Sequence, residues 1–136
     1  MTYVDTNIFI RYLVGDDPAK AEACRELFRR LEQAHEVAVS TEATIAEVVY
    51  VLSSPRHYAQ PRDLIASTLM HLLSFTGLQL ENRRQCLRAL TLFAEHRSLD
   101  FADAIAIAHF ETQHLDGIYS YDRGLDRVPG VVRVEP

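Results

Sequence analysis

The chain reads as an α/β protein, a three-layer fold with a central, mostly parallel sheet of about five short strands flanked by helices. Two observations predict it. Short apolar runs alternate with longer stretches of helical periodicity along the whole chain, which is the pattern of a parallel sheet whose strands are joined through helices. Cap and breaker residues stand at the junctions between them. No internal repeat, low-complexity tract or linker interrupts the 136 residues, so a single domain over 1–136 is expected, large enough to bury its own core.

Tyr3-Val4 ends the first strand, and a short helix from Asn7 to Val14 stops near Gly15. Asp16 or Asp17 can cap the next helix, with Pro18 suited to its first turn. Ala21, Cys24, Leu27, Phe28 and Leu31 then repeat at helical spacing. Glu36 to Ser40 is the second strand. Ser40 or Thr41 caps a helix running to about Ser53, with Ile45, Val48, Val49 and Leu52 on one face. A loop punctuated by Pro55 and Pro61 precedes a helix from about Arg62 to Phe75, broken at Gly77. Leu78 to Glu81 is the third strand, and Arg83 to His96 the next helix. The last long helix begins near Asp100 and is closed by Gly117. Ile118 to Tyr121 forms the fourth strand; a turn through Arg123-Gly124 leads to the fifth, Val131 to Val134.

Composition excludes several classes. The chain is 48% hydrophobic and 24% charged, as in a globular protein. No apolar run approaches the roughly 20 residues of a membrane span, and no basic region followed by an apolar stretch marks a secretory signal, so a cytoplasmic location is expected. Cys24 and Cys86 lack metal-type spacing and read as buried free thiols. The six histidines show no ligand spacing. The formal charge of −5 argues against non-specific duplex binding, unless a cluster of acids is neutralised by a bound cation.

Four acids stand where such a cluster belongs. In an open parallel sheet, ligands gather beyond the carboxyl ends of the strands. Asp5 follows the first strand and Asp122 the fourth. Asp103 lies in the first turn of the last helix, and Glu47 in the second turn of the helix after the second strand. Each also has a plain structural reading. Asp5 can cap the helix after it, Asp100 and Asp103 have capping-box spacing, Glu47 can be a solvated helix residue, and Asp122 can open a turn. Four acids at one rim would repel unless they share a divalent cation. Aspartate and glutamate oxygens are what Mg²⁺ or Mn²⁺ prefers, and such a site can activate water against a phosphodiester.

The segments VDTNIFI, TIAEVVYVL, LDFADAIAIA and IYSYD, in that order and spacing over essentially the whole chain, resemble the PIN-domain family, more narrowly the VapC-type toxins of bacterial and archaeal toxin–antitoxin pairs. The resemblance implies a PIN-like fold and a Mg²⁺- or Mn²⁺-dependent endoribonuclease in which Asp5, Glu47, Asp103 and Asp122 surround the metal. It places Thr6 and Asn7 as the polar pair after the first Asp, with Thr6 bonding a carboxylate or a water on the ion. It places Ser120 to orient Asp122, Asp100 as a secondary acid and Asp126 as a weaker one. It also implies an RNA substrate, a cognate VapB-type antitoxin seated in a groove between helices, a homodimer and toxin–antitoxin hetero-oligomers.

Arg11 and Tyr12, and Arg56, His57, Tyr58 and Arg62 in the Pro55–Asp63 loop, could contact RNA phosphate and stack on bases; a solvated loop is the alternative. Arg123 could meet phosphate or pair with an acid. Two other functions compete. An aspartyl-phosphate phosphatase would want an Asp where Asn7 stands and a helper lysine, whereas Lys20, the only lysine, lies in a polar helix. A non-catalytic PIN-like module binding RNA or protein is opposed by acids at all four positions.

Overall fold

A computed structural model describes residues 1–136. It holds six α-helices, a 3-10 helix and five short strands, and every strand pairing is parallel. The chain divides into two compact units, Met1–Arg83 and Arg84–Pro136. The five expected strands are present, shared between a three-stranded and a two-stranded sheet.

The first unit runs β1 (Thr2–Tyr3), α1 (Thr6–Val14), α2 (Pro18–Glu32), β2 (Ala38–Ser40), α3 (Glu42–Ser53), α4 (Arg62–Leu73) and β3 (Leu78–Leu80). Its strands lie in the order β1-β2-β3, with Ala38 opposite both Thr2 and Leu78. Helical crossovers make that parallel order possible. The helix starts follow the sequence. Asp17 caps α2 by accepting from the Lys20 N–H, and Thr41 caps α3 by accepting from the Thr44 N–H. Gly15, at φ 71°, ends α1 and returns its N–H to the Arg11 carbonyl, a left-handed turn that glycine adopts without strain. Phe9, Phe28, Leu31, Ile45, Leu52 and Leu69 are fully buried, each contributing roughly 1.5–3 kcal/mol by leaving water. The Phe9 and Phe28 rings meet at 5.4 Å. The Arg83 guanidinium donates to the carbonyls of Leu73 and Leu78, tying the end of α4 to β3.

The second unit holds α5 (Arg83–Glu95, starting at the boundary), α6 (Phe101–Thr112), β4 (Ile118–Tyr119), a 3-10 helix (Arg123–Arg127) and β5 (Arg133–Val134). Leu90, Phe93, Ala104 and Ile107 are buried, and the Phe93 and Phe101 rings meet edge-on at 5.8 Å. A two-pronged ion pair, Arg88 to Glu111 at 2.7 and 3.0 Å, joins α5 to α6. Gly117 does not close α6 as expected. The helix ends at Thr112, and the chain turns at His114, φ 52°. Gly117 instead lies against β5, where a Cβ would come within 3.0 Å of the Val134 methyl and 3.2 Å of the Val132 carbonyl. Cys24 and Cys86 are buried free thiols.

Gly77 is the tightest backbone approach in the first unit. Its N–H donates to the Leu31 carbonyl and its carbonyl accepts from Ala38. A Cβ there would sit 2.2 Å from the Glu36 carbonyl oxygen and 2.7 Å from that of Leu31. Both obstacles are backbone, so Gly77→Ala is expected to cost about 2 kcal/mol or more. An unchanged urea midpoint for this variant would contradict that packing.

Candidate active site

In the first unit the site begins with the end of β1. The Val4 N–H donates to the Val39 carbonyl at 2.8 Å, and the buried Ser40 hydroxyl donates to the Val4 carbonyl at 3.0 Å. These bonds fix the point at which Asp5 leaves the strand. Asp5 is exposed, and one of its carboxylate oxygens accepts from the Thr6 N–H at 2.8 Å, capping α1. Thr6 is buried, and its hydroxyl donates to Glu47 Oε2 at 2.8 Å. That bond joins the first motif to α3 across 41 positions of sequence. Asn7 follows, exposed, in the first turn of α1.

In the second unit, Asp100 caps α6 by accepting from the Asp103 N–H at 2.8 Å. Asp103 is half-buried, with the carboxylates of Asp100 and Asp122 near enough to act on its own. Burial first, then the charges of Asp100 and Asp122, push the Asp103 carboxyl up to about 6 from an ordinary 3.8. Asp122 opens the 3-10 helix, accepting from the Gly124 N–H at 2.8 Å. Its own N–H donates to the Ser120 hydroxyl at 3.0 Å. A Cβ at position 124 would lie 3.0 Å from Asp122 Oδ1, so glycine there gives the carboxylate room.

The structure thus groups Asp5, Thr6 and Glu47 in one unit, and Asp100, Asp103, Ser120 and Asp122 in the other. Within neither unit are three His, Cys, Asp or Glu side chains drawn into a ready cage for an ion. Asp100 and Asp122 each commit an oxygen to a backbone N–H. The donor set is all oxygen, which fits Mg²⁺ or Mn²⁺ better than a softer metal. Asp126 is tied to Arg133 at 3.0 Å and drops out of the acidic set. Sequence reasoning missed Ser40 as the residue that holds β1. Its one signal is a polar residue ending an otherwise apolar strand. Of the side chains read as RNA contacts in the first unit, Arg11, Tyr12 and Tyr58 are engaged within the fold, while Arg56 and His57 are exposed. Arg11 pairs with Asp16 at 2.9 Å, Tyr58 donates to the same carboxylate at 3.0 Å, and the Tyr12 ring lies 4.7 Å from that of Phe28. The Tyr58 hydrogen bond, then Arg11, holds Asp16 below the usual carboxylate range.

The crowding at Asp103 has a measurable consequence. A raised folded pKa means that the native state binds its proton more tightly than the unfolded chain does. Stability is therefore lost as pH rises from about 3.8 to about 6. Asparagine mimics the neutral acid. In metal-free buffer at pH 7.5, Asp103→Asn is expected to be more stable than the parent by about 1–2 kcal/mol, after discounting for partial exposure. The difference should fade below pH 4, and denaturant titrations at the two pH values would reveal it.

Comparison with known proteins agrees with these motifs. The PIN domain family matches residues 2–131. A VapC ribonuclease of Mycobacterium bovis and Ribonuclease VapC13 of Mycobacterium tuberculosis are each 30% identical to this chain, over 98% of its length and 99% of theirs. The chain belongs to the PIN domain family.

Proposed function

We propose that this chain is a Mg²⁺- or Mn²⁺-dependent endoribonuclease, the toxin of a VapBC-type toxin–antitoxin pair, working as one PIN domain over residues 1–136. The observation that carries this reading is the placement of Asp103 against both Asp100 and Asp122, in a family member whose relatives are named as VapC ribonucleases. Acids so close, offering only oxygen, suit a hard divalent ion. In this reading Asp5, Glu47, Asp103 and Asp122 hold the metal, Asp5 and Asp103 directly, Glu47 and Asp122 through waters or at a second ion.

When bound, the ion would supply positive charge to the phosphate and lower the pKa of a water beside it. The chain's own groups supply position. The Thr6 and Gly124 N–H groups each hold one oxygen of Asp5 and Asp122, which aims the other oxygen of each away from the backbone. The Thr6 hydroxyl fixes Glu47, and Ser120 fixes the backbone at Asp122. In-line attack of water on phosphorus, without the RNA 2′-hydroxyl, leaves 5′-phosphate and 3′-hydroxyl ends.

The same reading brings partners: a VapB-type antitoxin, a second copy of the toxin, and hetero-oligomers of the two. A cleft of about 440 Å³ lined by Tyr12, Leu13, Ser67, Thr68, His71 and Leu72 supports an antitoxin segment seated between helices. No helix is long and apolar enough to cross a membrane, and a cytoplasmic setting suits an RNA substrate.

Purified protein freed of any partner is expected to cleave RNA with Mg²⁺ or Mn²⁺ and to stop in EDTA. Asp5→Asn and Asp103→Asn should each abolish cleavage while keeping native circular dichroism, since asparagine caps α1 about as well as aspartate does at position 5 and position 103 caps no helix. Full activity in either variant would remove that residue from the site. Mn²⁺ should raise the melting temperature of the parent by mass action and leave Asp103→Asn nearly unmoved.

A further inference from the structure

Tyr50, on α3, is one exposed aromatic side chain of the first unit; in the second unit two stand together beside one of the acids. Tyr119, in β4, and Tyr121, two residues on, are 78% and 71% exposed. Tyr119 ends β4, and Tyr121 lies in the bend that follows it. Tyr119 stands opposite Val134 of β5, and Val132 and Val134 are exposed beside them. Asp122 follows Tyr121 directly. Arg123 and Arg127 are exposed and form no ion pair, while Asp126, between them in the chain, is held by Arg133.

We propose that Tyr119 and Tyr121 form a stacking platform for unpaired RNA bases beside Asp122, with Arg123 and Arg127 reaching the phosphates. An unpaired RNA strand held by the proposed nuclease would lie across this face beside Asp122. This deepens the nuclease reading and rests on Asp122 belonging to its site. Two arguments favour RNA as the occupant. Base faces are open only in unpaired RNA; a duplex hides them. A second copy of this chain, meeting the face through a two-fold axis, would bring the same patch against itself and set its unpaired arginines against like charge.

The chain contains no tryptophan, so Tyr119→Trp installs a lone indole reporter. It is placed in the Asp103→Asn background, which keeps the RNA intact. An unstructured uridine oligomer is expected to quench its fluorescence, and a duplex of equal length to leave it nearly unchanged. In the cleaving enzyme, Tyr119→Ala with Tyr121→Ala should raise KM for single-stranded RNA about 5- to 150-fold for each base that can no longer stack, with kcat within about threefold. The two Tyr→Phe replacements, which keep the rings, should restore KM.

An unchanged KM in the double alanine variant would overturn the platform, as would indole emission indifferent to the uridine oligomer. So would a double alanine variant that sediments as a smaller species while binding RNA normally, which would assign the face to a second copy. The nuclease reading fails separately. If Asp5→Asn and Asp103→Asn both keep cleaving, the acid site is wrong, yet quenching by single strands and not by duplex still supports the platform.

Discussion

Repulsion among Asp100, Asp103 and Asp122 is the constraint around which the second unit is arranged. Burial first, and then the charges of Asp100 and Asp122, raise the Asp103 carboxyl to about 6. The fold offsets part of this by setting acids at helix starts. Asp100 caps α6, Asp103 lies in its first turn, and Asp122 opens the 3-10 helix. In the first unit Asp5 caps α1 in the same manner. A helix N-terminus favours a negative charge by roughly 0.3–1 kcal/mol, less than a displacement of the size seen at Asp103 represents. The remaining imbalance is what a hard divalent cation would relieve.

Capping and metal binding are not rival roles for these acids. A carboxylate offers two oxygens and about four lone-pair sites. One oxygen on a backbone N–H locks the rotamer and leaves the other free, which is the preorganisation a metal or water site needs. Around the acids stands a set of small residues whose work is positional. Ser40 holds the end of β1, Thr6 links Asp5's helix to Glu47, and Ser120 and Gly124 frame Asp122. None of these presents a charge, so none would be found by searching for reactive groups.

The fold was legible because its signals are local. Asp17, Pro18, Thr41, Asp100 and Gly15 act at the junctions where their chemistry predicts. Gly117 misled because a glycine near a helix end suits two purposes, a left-handed turn or a close approach. Only the packing of β5 shows that the second applies, while His114 takes the turn. Asp5, Asp100 and Asp122 were legible as caps for the same local reason, whereas Glu47 lies inside α3. The Thr6–Glu47 bond was not legible, since it spans 41 positions. Occupancy was invisible too. Arg11, Tyr12 and Tyr58 have the composition of an RNA-binding surface, yet Asp16 and Phe28 already engage them. In IYSYD the apolar and aromatic pattern reads as a strand, but whether anything covers its outer face is a tertiary property.

The charge balance then explains how an acidic protein can handle a polyanion. Most of its cations are arginines, and on α2 they are matched close by: Arg25 with Glu22, Arg29 with Glu26, Arg30 with Glu36. Exposed pairs of this kind contribute little to stability, but they withdraw guanidinium groups from phosphate. With a formal charge of −5 the molecule lacks the basic field by which counterion release drives indiscriminate binding. Affinity must come from contacts that do not depend on that field. Stacking on exposed rings is one, because every base has a face to offer and salt does not screen it. On the proposed function a cation held among carboxylates would be the other, because it would present positive charge at the scissile phosphate and nowhere else. An acidic surface with one aromatic face and one metal centre would therefore ignore nucleic acid in general and engage it only where an unpaired base and a phosphate reach both at once.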